Sequence, residues 1–290
     1  MFAALQGAPT KVTAVSIENF DNKDMEGIAG LNEVESVEAT RCPDYDIMYG
    51  RGSYRITCGP PPLTNAGLLI DLPATLRRLI LRDAEKIDDA GLHNVQYLTN
   101  LQHLDFSGCD GLTNKGLFLL RRLRHLEFLS LYGLRCITAD GLKAMNIRAM
   151  TELRHIDLSH TRIAANAVPL LAGLPRLEYL NLKRCKGCVT DNAIELIANI
   201  KTLQHLILSH AEDRGDDVAP ITAAGWSSLS QLVQLRRLDI SGNPSISHST
   251  LSGLPPMLQL EYLDVSTCRY INPSCKNKLH TNGLCDSSWL

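Results

Sequence analysis

Residues 101–117 read LQHLDFSGCDGLTNKGL, and residues 177–194 restate them as LEYLNLKRCKGCVTDNAI. The leucines keep their places while the residues between them change. Counting from the first leucine, positions 1, 4 and 6 are apolar: Leu101, Leu104 and Phe106 in one copy, Leu153, Ile156 and Leu158 in another. Copies start at Leu76, Leu101, Leu126, Leu153, Leu177, Leu203, Leu235 and Leu260, at intervals of 24 to 32 residues. Such a period is the mark of a solenoid, in which each turn is one supersecondary unit.

The two halves of the phrase differ in period. Positions 4 to 6 alternate apolar and variable, which predicts a short strand with two side chains inward and one outward. The second half (IDDAGL, LTNKGL, ITADGL, VTDNAI, ITAAGW) predicts a helix. Thr113, Thr138 and Thr190 are placed to cap its N-terminus, and the small residues Gly116, Gly141 and Ala193 to let it approach the strand closely. Neither half can bury its apolar face alone. Stacked turns can, and each buried leucine then contributes about 1.5–3 kcal/mol.

Two weaker copies come first, with Val12, Val15, Ile17 and Phe20, then Val34, Val37, Ala39 and Cys42, at positions 1, 4, 6 and 9. The expected architecture is thus an α/β solenoid of about ten turns, with a parallel sheet on the concave face and helices on the convex face. It forms a single domain over 1–290: a lead at 1–11, repeats at 12–271 and a cap at 272–290. The turn at 34–75 carries an insertion at 43–62, where alternation around Tyr49–Tyr54 predicts a hairpin. The turn at 203–234 is lengthened by HAEDRGDDVAP. Ten strands at ~4.8 Å give a sheet about 43 Å long with an edge at each end. Such edges need covering. Met1–Pro9 or a partner chain is expected over the first strand, and Leu279, Leu284 and Trp289 over the last turn.

Composition narrows the class. No apolar run approaches the ~20 residues of a membrane span, and the N-terminus lacks a basic lead followed by an apolar core. Membrane insertion is not expected. Nine cysteines, four of them at position 9 (Cys42, Cys109, Cys185, Cys268), predict reduced, buried thiols rather than a disulfide framework. The expected location is cytoplasmic or nuclear, with mitochondrial as the second choice.

Phrases of the form L-x-x-L-x-L-x-x-C followed by I-T-x-x-G-L resemble the cysteine-containing class of leucine-rich repeat. That class is familiar from F-box substrate receptors of ubiquitin ligases and related adaptors. The resemblance covers about residues 12–271 and implies a repeat horseshoe that binds proteins. An F-box would be a separate helical segment ahead of the repeats, and eleven residues precede Val12, so this chain is expected to lack one.

With positions 1, 4 and 6 inward, positions 3, 5, 7 and 8 are expected to face out along the concave sheet. Position 3 reads Arg78, His103, Phe128, His155, Tyr179, His205, Arg237 and Tyr262. Position 7 adds Arg82, Tyr132 and Lys183, and position 8 adds His160, Arg184 and His210. Position 5 (Asp105, Asp157, Asn181, Asp239, Asp264) supplies a parallel acidic stripe. Tyrosine, phenylalanine and arginine bury much area around a polar handle and dominate binding hot spots. The predicted partner-binding set is therefore Arg78, Arg82, His103, Phe128, Tyr132, His155, Tyr179, Lys183, Arg184, His205, Arg237 and Tyr262.

No catalytic, metal or cofactor site is expected. His155 and His205 lie two strands apart, about 9.6 Å, too far to share a zinc ion. Cys185 and Cys188 form a single CxxC with no second pair at suitable spacing. There is no nucleophile elbow, Walker loop or dinucleotide fingerprint. The expected role is a non-enzymatic scaffold or adaptor with protein partners in a multi-subunit complex and no small-molecule substrate. A ubiquitin-ligase substrate receptor is one alternative. An RNA-associated assembly factor is the other, drawn from Lys115, Arg121, Arg122, Arg124 and His125 in one helical half and a net charge of +4 over residues 101–200.

Overall fold

The computed structural model describes residues 14–18, 22–29, 34–40, 46–48, 53–55, 63–68, 72–209 apart from 186 and 189, and 221–271 apart from 253, 255 and 256. Ten strands form one parallel sheet in chain order: β1 (Ala14–Glu18), β2 (Ser36–Thr40), β5 (Arg78–Arg82), β6 (His103–Asp105), β7 (Phe128–Ser130), β8 (His155–Asp157), β9 (Tyr179–Asn181), β10 (His205–Ile207), β11 (Arg237–Asp239) and β12 (Tyr262–Asp264). A helix follows most strands: α1 (Asn22–Ala29), α2 (Asn65–Leu68), α3 (Leu92–Val95), α4 (Asn114–Leu119), α5 (Ala139–Ala144), α6 (Val168–Leu171), α7 (Asp191–Ile197), α8 (Ala223–Ser228) and α9 (His248–Ser252). The predicted hairpin is present. Its strands β3 (Asp46–Met48) and β4 (Ser53–Arg55) pair antiparallel, Ile47 opposite Tyr54. The lead at 1–11, the lengthened part of the turn at 210–220, including His210, and the cap at 272–290 lie outside the described residues.

The register keeps every repeat position in line. Val37 sits opposite Leu79, Leu79 opposite Leu104, Leu104 opposite Leu129, and so on to Leu263. A slip of one residue would turn each row to the other face. Position 1, 4 and 6 side chains from Leu76 to Val265 are at most 9% exposed and form one continuous core. The fixed leucines are therefore the contacts between turns.

Polar groups are also satisfied by the neighbouring turn. After each strand the chain bends, and where position 9 is a described cysteine it donates backward to the position 6 carbonyl of the preceding turn: Cys109 Sγ to Leu81 at 3.2 Å, Cys185 Sγ to Leu158 at 3.0 Å, Cys268 Sγ to Ile240 at 3.5 Å. Asn243, standing where others have cysteine, donates to Leu208 at 3.1 Å. A thiol is the smallest apolar group that still donates, which explains cysteine here. Burial pushes the Cys109 thiol up to about 12, so it stays protonated.

The acidic stripe expected at position 5 is corrected by the structure. Asp105, Ser130 and Asn181 are at most 8% exposed. Their oxygens accept the backbone N–H of position 7, Asp105 from Ser107 at 2.9 Å, Asp157 from Ser159 at 2.8 Å, Asp239 from Ser241 at 2.9 Å and Asp264 from Ser266 at 2.7 Å. These carboxylates close the turn after the strand, and Asp105 is buried by doing so.

Thr113, Thr138, Thr190 and Thr222 cap their helices as the phrase predicts. The residue after the cap reaches forward to the next turn. Asn65 accepts from Asp88 N at 3.0 Å, Asp89 from Thr113 N at 2.8 Å, Asn114 from Thr138 N at 3.0 Å, and Asp191 from Thr222 N at 2.9 Å. The small helix residue makes room for that side chain, not for the strand. A Cβ on Gly91, Gly116, Gly141 or Gly225 would lie 2.2–2.6 Å from the carboxylate or amide oxygen of Asn65, Asp89, Asn114 or Asp191 respectively. Where the preceding residue is instead alanine, as at Ala139, Ala165 and Ala223, the small position is Ala167, Ala193 or Thr250. The two positions vary together because they share one volume.

Gly141→Ala would ordinarily favour a helix by up to ~1 kcal/mol. Here it should destabilise by about 1–2 kcal/mol, because it displaces Asn114 from two hydrogen bonds to Thr138 worth about 1 kcal/mol each. Combining it with Asn114→Ala should recover at least ~1 kcal/mol relative to additivity in urea unfolding. Effects that add within ~0.5 kcal/mol would show that the two sites do not share space.

Candidate functional site: the concave wall

Position 3 places its side chains on the open face of the sheet, and five consecutive turns supply rings. His103 and Phe128 stack with centroids 3.8 Å apart and planes 4° from parallel. Phe128 and His155 follow at 4.1 Å and 18°, and His155 and Tyr179 at 3.8 Å and 7°. Tyr179 then meets His205 edge-on at 6.0 Å and 64°. The strands bring this about, since parallel pairing at ~4.8 Å per strand puts equivalent rings within stacking reach. Each stacked pair adds about 0.5–1.5 kcal/mol beyond area burial. The row is half-buried, with exposed Arg78 before it and exposed Arg237 and Tyr262 after it.

The histidines in this row are held neutral. His103 is lowered to about 4, by burial first and then by Arg78, against the opposing pull of Asp105. Its Nε2 is buried with no hydrogen-bond partner, so an added proton would have no acceptor there. His155 is also lowered to about 4, by burial and by His103 and His205. His205 is lowered by burial and by Arg237. Burial and nearby Asp157 raise the Tyr179 hydroxyl.

A second group sits at the rim where the strands end. Tyr132 is 43% exposed and its ring lies 5.1 Å from that of His160. Burial, Arg184 and Lys183 lower His160. His160 and Arg184 both adopt positive φ, 59° and 57°, so position 8 is a left-handed turn that aims these side chains at the rim, not along the sheet floor. Arg82 is partly committed, its Nε donating to the buried carboxylate of Asp105 at 2.8 Å. Of the predicted set, the structure joins His103, Phe128, His155, Tyr179 and His205 into one ribbon. It gathers Tyr132, Lys183 and Arg184 around His160. Arg78, Arg237 and Tyr262 stand at the flanks.

The CxxC residues Cys185 and Cys188 are both buried, their thiols bonded to the Leu158 and Ile163 carbonyls of the preceding turn. Among the described residues no three histidine, cysteine or acidic side chains converge as metal ligands. No helix of the described residues is long and apolar enough to cross a membrane.

The sheet and the buried leucine phrase have counterparts in other proteins. A family model described as leucine-rich repeat matches residues 97–120. The crystal structure of the internalin InlF from Listeria monocytogenes superposes with a TM-score of 0.59 at 17% identity, over 96% of this chain and 70% of that one. The fold is a leucine-rich-repeat solenoid. Among curated proteins, EEED8.10 of Caenorhabditis elegans, provisionally described as an RNA-binding protein, is 27% identical over 199 residues. That match takes in 68% of this chain and 23% of the relative, so the chain spans under a quarter of its length.

Ring stacking was the feature that residue types alone did not reveal, although a run of five planar residues at one repeat position is a readable signal. It makes stability depend on pH. An unfolded histidine takes up a proton near 6.5, whereas His103 and His155 stay neutral to about 4, so the unfolded state binds more protons as pH falls through that window. The melting midpoint should therefore drop between pH 6.5 and 5, with these two groups contributing no slope above pH 7. A His103→Phe/His155→Phe variant, which keeps the stack, should show a flatter profile over that interval. An identical profile would mean that the rings titrate freely in the folded chain.

Proposed function

We propose that the protein is a non-enzymatic binding scaffold, a subunit of a larger assembly, which takes an extended segment of a partner protein along its concave wall. The observation that carries this reading is the stacked ribbon from His103 to His205. Its rings use their faces on each other and turn their edges to the cavity. Ring edges carry the positive end of the aromatic quadrupole, which suits carbonyl and carboxylate oxygens and gives no free face for a nucleobase. Arg78, Arg237, Lys183 and Arg184 add cationic donors on either side. A carbonyl-rich, acidic protein segment fits this wall. The ribbon also arrives rigid, so little side-chain entropy is lost when a partner binds.

The similarity to EEED8.10 favours a second reading, an accessory factor in an RNA-protein assembly. The two readings are compatible when the partner held in the concavity is itself a component of such an assembly.

Phe128 and Tyr179 are part of the ribbon, so truncating them also costs stability. The cleaner test uses Tyr132→Ala/Lys183→Ala/Tyr262→Ala, all on exposed side chains. With an unchanged melting midpoint, this variant should lose at least tenfold in affinity for the protein that co-purifies with the native chain, since hot-spot truncations each cost ~2 kcal/mol or more. Retained affinity would refute concave binding.

A further inference from the structure

The helical side carries a second, separate surface. Counting from the helix cap, one row reads His93, Phe118 and Lys143, continuing as Pro169, Glu195 and Ser227. A row one turn further on places Tyr97 beside Arg122. Tyr97 is 57% exposed and Phe118 48% exposed, the largest aromatic exposures on this side apart from the terminal turn. Each ring has a guanidinium next to it. The Arg121 carbon Cζ lies 3.7 Å from the Phe118 centroid, and that of Arg122 lies 6.0 Å from Tyr97. His93 meets Tyr97 edge-on at 6.3 Å.

Folding does not account for this arrangement. Arg121 Nη1 donates to the Phe118 carbonyl at 3.1 Å, a helix-end bond that one cation supplies. Arg122 has no such role. Among the described residues none of Lys115, Arg121, Arg122 and Arg124 pairs with a carboxylate, whereas three other exposed arginines do, Arg154 with Glu178, Arg176 with Glu152 and Arg236 with Glu261. Uncompensated positive charge and solvent-facing flat groups thus coincide in one place.

We propose that Tyr97, Phe118, Arg121 and Arg122 form a binding surface for single-stranded nucleic acid. A guanidinium laid on a ring presents its other face to solvent, and a nucleobase stacks on that face or on the exposed ring while its phosphate meets the charge. An acidic peptide would use the charge and leave the planar groups idle. A duplex would offer phosphates with its bases already stacked internally. Single strands supply both complements together. This surface is distinct from the stacked ribbon of the concave wall, whose ring faces lie on one another, so one chain could hold a protein and a nucleic acid strand on opposite sides.

The test is fluorescence anisotropy of the full chain with labelled oligo(U) and oligo(dT) of about 15 nucleotides. Two phosphate contacts predict a slope of about −1.4 for log affinity against log salt. Arg121→Gln/Arg122→Gln should bring that slope close to zero. Tyr97→Ala/Phe118→Ala should lower affinity about tenfold or more at every salt concentration while leaving the slope in place. Should either double variant fail to fold by circular dichroism, the single exposed change Arg122→Glu carries the same expectation of at least tenfold loss. Preference for oligo(U) would assign RNA as the strand, and equal binding would assign the chemistry the two strands share. The proposal is overturned by no binding at ~50 mM salt, by unchanged affinity in the ring variant, by duplex binding as tight as single-strand binding, or by equal competition from oligo-glutamate. No protein partner enters the assay, so its failure leaves the concave reading standing.

Discussion

No turn of this chain can satisfy itself. A strand of three residues followed by one or two turns of helix has an apolar face it cannot cover and polar ends it cannot pair. The neighbouring turn does both. Leucines of one turn lie on those of the next, a position 9 cysteine donates to the carbonyl of the turn before it, and an Asn or Asp after a helix cap holds the cap of the helix that follows. Stability in such a chain is a sum over adjacent turns. What the repeat leaves free is the outer side of each turn, and there the residues that differ between copies collect.

The concave wall shows how regular packing constrains even its variable positions. Parallel pairing at a fixed spacing forces equivalent side chains together, so a planar residue chosen at one turn acts on the choice at the next. Histidine alternates with phenylalanine and tyrosine because each is flat, and the burial that results keeps His103 and His155 uncharged down to about pH 4. A wall of mixed polar character by residue type becomes a neutral aromatic ribbon with cations at its margins. That change of character bears on what it can bind.

The architecture was legible in the residues because a hydrophobic period and a capping threonine are local signals. Leu101, Leu104 and Phe106 announce an inward set, and Thr113 announces a helix start, whatever lies far away in the chain. What stayed hidden depends on contact between turns. Asp105 reads as a surface acid until Ser107 and Arg82 are seen to close over it. Gly141 reads as a close approach to the strand until the Asn114 amide is found in its place. Both were encoded in pairs, Asp-x-Ser along one turn and Asn with Gly across two. A single phrase read alone cannot show a pair that spans two copies. The exposure of Tyr97 and Phe118 is not written in one phrase either, since exposure on a helical side is set by the neighbouring turns.

If the concave wall takes a partner segment as proposed, that wall is covered whenever the partner is bound. Hydroxyl-radical footprinting of the native assembly against the free chain reads this directly, residue by residue. Tyr132, Tyr262 and the edges of Phe128 and Tyr179 are expected to be protected in the assembly. Unchanged labelling of all four, with protection confined to the other faces of the solenoid, would contradict concave binding.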